Sequence, residues 1–273
     1  MERARPIALI TGASSGIGAA FADELATREH DLILVARRQD RLEALARALQ
    51  ETENVSVECM VADLTRDADV KRVADRVRGE ERLEILVNNA GFGTTGFFFE
   101  ADPAGQENMH RLHVLATVIL TRAALGAMVQ RNRGAIINVS SVAAFIPSGA
   151  NVSYNSTKAW MNIFTESINL ELRAADSPVR VQALCPGFTI TEFHEKLGID
   201  RTKIFPRSGF WMPAEKVVRD SLAGLQKGDW LVVPGWRYKL LVFALRHLPR
   251  LVREHAALVY SRKARGFVKS SGG

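Results

Sequence analysis

The feature that most narrows the fold is an alternation. Short, β-rich apolar runs are separated by longer amphipathic stretches of roughly 12–25 residues. The strand-like runs are Ile7–Ile10, Leu32–Ala36, Val55–Val61, Leu83–Val87, Gly134–Val139, Val179–Leu184 and Trp230–Val233. They read as continuous apolar segments, as strands do when both faces of a sheet are covered. The stretches between them carry helical spacing: Arg41–Gln50 has leucines at 42, 45 and 49. Repeated βα units of this kind build a parallel sheet with right-handed crossovers. The expectation is therefore an α/β fold with a doubly wound parallel sheet. No Pro/Gly/Ser linker, repeat or low-complexity tract divides the chain, which points to a single domain over residues 1–235 and a C-terminal helical extension over 236–273.

Composition removes other classes. At 273 residues and 47% hydrophobic, the chain can bury a large core. Two cysteines, Cys59 and Cys185, are too few for a disulfide framework, and both are expected to be small buried hydrophobes in a reducing cytoplasm. The apolar run Ile7–Ile10 after the basic opening MERAR is too short for a signal segment. Leu240–Leu245 falls far short of the ~20 residues that span a bilayer, so a soluble or peripheral protein is expected. Charge is uneven. Residues 236–273 hold nine Lys/Arg against one Glu, a local +8, so the +6 of the whole chain leaves −2 for the rest.

The first strand runs directly into Thr11-Gly12-Ala13-Ser14-Ser15-Gly16-Ile17-Gly18 and then a helical segment. Gly12 permits a sharp turn, Gly16 a close approach of backbone to a pyrophosphate, and Gly18 tight helix–strand packing, with the helix N-terminus facing the anion. This is a Rossmann-type signature, spaced G-x-x-x-G-x-G. Later motifs follow strand ends in turn: Asp63-Leu64, Asn88-Asn89-Ala90-Gly91, Ser141, and Pro186-Gly187. Tyr154-Asn155-Ser156-Thr157-Lys158 begins 13 residues after Ser141. In this set and order the chain resembles the short-chain dehydrogenase/reductase family over about residues 6–235.

The resemblance implies an oxidoreductase that interconverts a carbonyl and an alcohol with a nicotinamide cofactor. It places Asp63 at the adenine, Asn89 at the adenosine ribose, and Thr189 and Thr191 at the nicotinamide carboxamide, with Leu64, Ala90 and Gly91 lining the same cleft. Cofactor choice is read from the second strand's end, Ala36-Arg37-Arg38. A carboxylate there would bind the ribose 2′-hydroxyl of NAD, whereas arginine matches a 2′-phosphate. NADP(H) is expected, with Arg37 as the discriminating residue and Arg38 and Ser14 as helpers. No metal is expected.

Tyr154 and Lys158 are four apart on one helix, so they share a face. A nearby ammonium favours tyrosinate and is expected to lower the tyrosine pKa. Ser141 is placed to donate to the substrate oxygen. One position departs from the family. In Met109-His110-Arg111-Leu112-His113, His113 stands where the family carries an asparagine that acts largely through its backbone carbonyl. It is either a tolerated replacement or a new titratable group near neutral pH.

Two regions stay open. Residues 192–212, with Phe193, Leu197, Ile199, Ile204, Phe205, Phe210 and Trp211, together with Phe92 and Phe97-Phe98-Phe99, suit either a lipophilic substrate or a packed lid. The basic, aromatic tail suits a cover over the domain or a subunit partner, or contact with an anionic membrane; nucleic acid is set aside because no recognition module accompanies the charge. A homo-oligomer, dimer or tetramer, is expected, with a small-molecule carbonyl or alcohol as substrate. The rival from another class is a non-catalytic NADP(H)-binding sensor or scaffold.

Overall fold

The computed structural model describes residues 4–94, 96–149, 151–193, 209–249, 251–255, 257–259 and 261–262. Seven strands form one parallel sheet in the order β3-β2-β1-β4-β5-β6-β9: β1 (Ile7–Thr11), β2 (Asp31–Ala36), β3 (Val57–Val61), β4 (Leu83–Asn88), β5 (Ala135–Val139), β6 (Arg180–Leu184) and β9 (Leu231–Val232). A separate two-stranded ladder pairs β7 (Thr189–Ile190) with β8 (Met212–Pro213). Strand order reverses between β1 and β4, and a crevice for ligand opens at such a switch point.

Period two along the strands feeds two cores. Ala8, Ile10, Leu32 and Leu34 point to one face, where they meet α1 (Gly16–Thr27), α2 (Gln39–Glu53) and α7 (Ala214–Lys227) through Phe21, Leu25, Leu42, Val217 and Leu222. Ile7, Leu9, Ile33 and Val35 point to the other. There they meet α3 (Asp67–Arg78), α5 (Thr117–Gln130) and α6 (Val152–Ala174) through Val73, Val77, Leu120, Met128, Ile168 and Leu172. The helix α4 (Pro103–His110) starts where Asp102 accepts from the N–H of Ala104 and Gly105 and Pro103 occupies the first turn. A π-helical turn, Arg111–Ala116, joins it to α5. The whole run Pro103–Gln130 is the one helix among the described residues long and apolar enough, by length and composition, to cross a membrane; Leu120, Ala124 and Met128 are buried against the sheet.

A buried polar ladder ties β4, β5, α5 and α6 together. Asn88 Nδ2 donates to Thr121 Oγ1 (3.1 Å) and Asn138 Oδ1 (2.9 Å), and Asn138 Nδ2 donates to Thr165 Oγ1 (3.0 Å). Asn88 is thus a structural residue.

The third strand departs from expectation. It begins at Val57, not Val55, and lies at the sheet edge, with Val61 exposed and only Met60 buried within it. Cys59 is accordingly half-buried, whereas Cys185 is buried, its thiol donating to Asn162 Oδ1 at 3.3 Å. The helix α8 (Trp236–His247) ends ahead of Pro249, and residues 251–255, 257–259 and 261–262 are helical again.

Candidate active site

The phosphate cradle forms at the C-terminal end of β1. Gly12 and Gly16 take φ of +68° and +57°, left-handed values that a side chain resists. A Cβ on Gly12 would stand 2.8 Å from the Asn89 amide nitrogen, and one on Gly16 2.9 Å from Thr191 Cγ2. One on Gly18 would overlap the Gly12 carbonyl oxygen. Ser15, the residue before α1, caps none of the helix's first N–H groups with its side chain, and the first turn holds no acidic residue. Orphan donors and the positive end of a helix dipole are what a pyrophosphate requires, so these residues fit a dinucleotide. Ile17 packs on the core behind them.

Asn89 holds this loop in shape, its Nδ2 donating to the carbonyls of Thr11 (2.9 Å) and Gly12 (3.2 Å). The buried Thr11 hydroxyl donates to the Val87 carbonyl and accepts from the N–H of Asn89 and Ala90, each at 3.0 Å. Sequence reasoning passed over Thr11; its signal was a hydroxyl at a buried strand end beside the first glycine. Asp63 closes a turn after β3, accepting from Thr65 N (3.1 Å) and Oγ1 (2.8 Å), with Leu64 buried next to it.

At the outer side of the cradle the two arginines part. Arg37 is exposed. Arg38 turns onto the loop and donates to Ser14 Oγ (3.1 Å), Ser15 Oγ (2.8 Å) and Glu192 Oε2 (2.9 Å). Arg41 donates to the other Glu192 oxygen. These two arginines hold the Glu192 carboxyl down at about 2. Neither Arg41 nor Glu192 belongs to the expected set; Arg41 was legible as the i+3 neighbour of Arg38 on the same helix.

The catalytic candidates converge beyond β5. Ser141 precedes a 3₁₀ turn, Val142–Phe145, and its Oγ accepts from Ala143 N at 3.1 Å. Tyr154 and Lys158 lie in the first turns of α6. The Lys158 ammonium is buried, donates to the Val139 carbonyl at 2.7 Å and stands 5.8 Å from the Tyr154 ring centre. Burial pushes Lys158 down to about 8. Burial also pushes Tyr154 up, with the Ser141 bond pulling the other way. This corrects the expectation that the ammonium lowers the tyrosine: here desolvation of the tyrosinate is the larger effect. A phenol kept protonated through neutral pH is a proton donor.

His113 sits in the π-helical turn, fully buried. Thr157 donates its hydroxyl to the Tyr154 carbonyl at 3.0 Å, so its oxygen accepts from His113 Nδ1 at 2.9 Å, while His113 Nε2 accepts from Phe92 N at 3.3 Å. Both ring nitrogens are satisfied in one neutral tautomer. Burial first, and the charge of Lys158 second, hold its pKa well below the ordinary histidine value. The ring fits because position 91 is glycine: a Cβ there would lie 2.9 Å from Nε2. A titration near neutral pH is thereby removed.

Rings line the approach to Tyr154. Phe193 lies 5.8 Å from it and His113 5.9 Å, centre to centre, with Phe92 6.1 Å from His113. Leu197, Ile199, Ile204 and Phe205 lie outside the described residues. On the far side, the Pro186 carbonyl accepts from Val142 N, and Thr189 donates to the Gly187 carbonyl at 3.1 Å. Tyr238 of α8 packs on Gly187, where any Cβ would overlap its ring. Its hydroxyl accepts from Phe188 N and donates to the Phe210 carbonyl, both at 2.9 Å.

Residues 6–202 match the family model described as short chain dehydrogenase. This chain belongs to the short-chain dehydrogenases. It is similar in structure to a short-chain dehydrogenase from Sphingobium yanoikuyae in complex with NADPH, with 37% identity and a TM-score of 0.79 over 90% of this chain and 97% of that one. It is similar also to the bulky-bulky ketone specific alcohol dehydrogenase from Comamonas testosteroni, at 32% identity and a TM-score of 0.76 over 90% and 95%. Among sequences, a very-long-chain 3-oxoacyl-CoA reductase-like protein from Arabidopsis thaliana is 33% identical over 72% of this chain, which spans 64% of that relative's length. This short-chain dehydrogenase is thus an oxidoreductase acting between alcohols and ketones with a nicotinamide dinucleotide, and it has the seven-stranded Rossmann-type sheet expected of it.

Proposed function

We propose that the enzyme reduces a bulky, lipophilic ketone with NADPH. The observation that carries this is the ring set around Tyr154, with Phe193 5.8 Å and His113 5.9 Å from it and Lys158 5.8 Å away on the same helix. The bound cofactor supplies a hydride to the carbonyl carbon. Tyr154 supplies the proton to the oxygen, and its burial keeps the phenol protonated until then. Ser141 donates to that oxygen as charge develops on it. Lys158, fixed by the Val139 carbonyl, orients the ribose and replenishes the proton. The backbone carbonyl of His113, in a π-helical turn of the kind that recurs at functional sites, is the remaining relay candidate. Among the relatives, the bound NADPH of the Sphingobium enzyme and the bulky ketones of the Comamonas enzyme support the reading. A sensor without catalysis is not favoured, since Ser141, Tyr154 and Lys158 are all present and assembled.

Cofactor preference rests on Arg38 facing Ser14 and Ser15, with Arg37 and Arg41 beside it and no carboxylate at the end of β2. Fluorescence titration should show NADPH bound at least ~10-fold more tightly than NADH, about 1.4 kcal/mol. Arg38→Asp should reduce or reverse that preference; equal affinities in the parent protein would sink the assignment.

The extension from residue 236 is proposed to touch an anionic membrane surface from a cytoplasmic protein. On α8, Trp236, Leu240 and Phe243 are 69%, 60% and 61% exposed and lie beside Arg237, Lys239 and Arg246. Self-association as a dimer or tetramer is proposed from apolar side chains left exposed on α5 and α6, among them Ile119, Ile163 and Leu170; sedimentation showing only monomer would refute it.

A further inference from the structure

The Arg38–Glu192–Arg41 bridge ties the start of α2 to the segment that packs on the cradle through Thr191. Arg38 and Arg41 lie at the start of α2, beside the cradle. Glu192 lies 154 residues beyond Arg38, at the opening of the 192–212 segment. Its carboxylate spans the two guanidinium groups, one oxygen to each, while Arg38 keeps its remaining contacts on Ser14 and Ser15. Two guanidinium groups and two hydroxyls converging on one carboxylate are the donor set a phosphate takes, here occupied by a carboxylate of the same chain.

The geometry points to Glu192 as a built-in competitor of the cofactor's 2′-phosphate, a residue that sets cofactor affinity. This rests on the NADP(H) reading above. An incoming 2′-phosphate and the Glu192 carboxylate carry like charge and need the same donors, so one must leave as the other binds. A cofactor with only a 2′-hydroxyl makes no such demand and leaves the bridge in place. The next residue, Phe193, has its ring 5.8 Å from that of Tyr154. The competition therefore takes place one residue away from the ring beside the proton donor.

Titration calorimetry of the full chain with 2′,5′-ADP and with 5′-AMP separates the possibilities without any turnover. In Glu192→Gln, affinity for 2′,5′-ADP should rise about threefold to tenfold while affinity for 5′-AMP stays the same. Glu192→Asp, whose shorter side chain cannot span both arginines, should move in the same direction by less, and serves if the glutamine variant does not fold. An unchanged or weakened 2′,5′-ADP affinity in these variants, with the parent still preferring 2′,5′-ADP over 5′-AMP, overturns the competitor role alone. If neither parent nor variant prefers 2′,5′-ADP, the NADP(H) reading falls and this one with it.

Discussion

The glycine cradle and the C-terminal rim use the same materials, apolar side chains and arginines, in opposite ways. Around the cradle, Ala13, Phe21 and Leu25 are fully buried, and Arg38 is held by hydroxyls and a carboxylate. On α8, Trp236, Leu240 and Phe243 face outward, and Arg246 lies over the Phe145 ring at 5.7 Å. The cradle's chemistry lies in its backbone, which no side chain can replace. The rim's chemistry lies in side chains that can change without altering the fold. Perturbation should therefore separate the two regions cleanly.

The largest effect belongs to neither region but to the group between them. Tyr154→Phe should lower turnover by about 10³-fold, with NADPH affinity by fluorescence unchanged, because only the proton donor is lost. Substantial remaining turnover would mean another residue supplies the proton. Next comes the cradle. Gly18→Ala forces a Cβ into the Gly12 carbonyl, and cofactor affinity should fall by about 100-fold, with roughly 2–3 kcal/mol lost in denaturant melts. Unaltered binding would show that the loop relaxes freely.

A smaller effect comes from pH. Lys158 has its pKa lowered from 10.5 to about 8, so its charge is present below that value and lost above it. Reductive kcat/KM should be level below about pH 8 and fall about tenfold per unit beyond it. Stability carries the opposite sign over the same window. Between about 8 and 10.5 the unfolded chain still holds a proton that the folded chain has released, so this residue's contribution to stability increases as pH rises. A rate profile that stays level to pH 10 would remove Lys158 from the chemistry.

The smallest effect on the fold should come from the rim. Trp236→Ser with Phe243→Ser should shift stability by no more than about 0.5 kcal/mol and leave NADPH affinity alone. The same double variant should lose sedimentation with anionic vesicles, which the parent shows at low salt and loses near physiological ionic strength. A parent protein that ignores such vesicles ends the membrane reading.

These contrasts also mark what could be read in the sequence. The alternation of runs located every strand of the large sheet to within two residues, because a parallel strand buried on both faces is mostly apolar along its length. Val55–Val61 failed that rule at the sheet edge, where Glu58 pairs with Arg76 in solvent and Cys59 is only half-buried. The Gly12–Gly18 turn was legible because its spacing reflects backbone geometry. That Arg38 turns onto Ser14 and Ser15 while Arg37 is exposed was not, because it depends on which way adjacent side chains leave a strand end. Glu192 was hidden for a different reason: an ion pair across 154 residues leaves no local pattern. His113 could be placed in the motif, yet its neutrality depends on Thr157, Phe92 and the missing Cβ of Gly91, which only the folded chain brings together. Tyr238 read as one more aromatic in a basic tail, although it is 3% exposed and bonded to Phe188 and Phe210.

The buried Cys185 has a consequence for how the enzyme ages. Burial pushes its thiol up to about 12, and Cys59 is shifted upward as well, by burial and then by Glu43 and Glu58. At neutral pH Cys185 therefore stays a thiol rather than the reactive thiolate. Electrophiles and peroxides act through the thiolate, so the sulfur beside Lys158 is protected from them by the same burial that shapes the site.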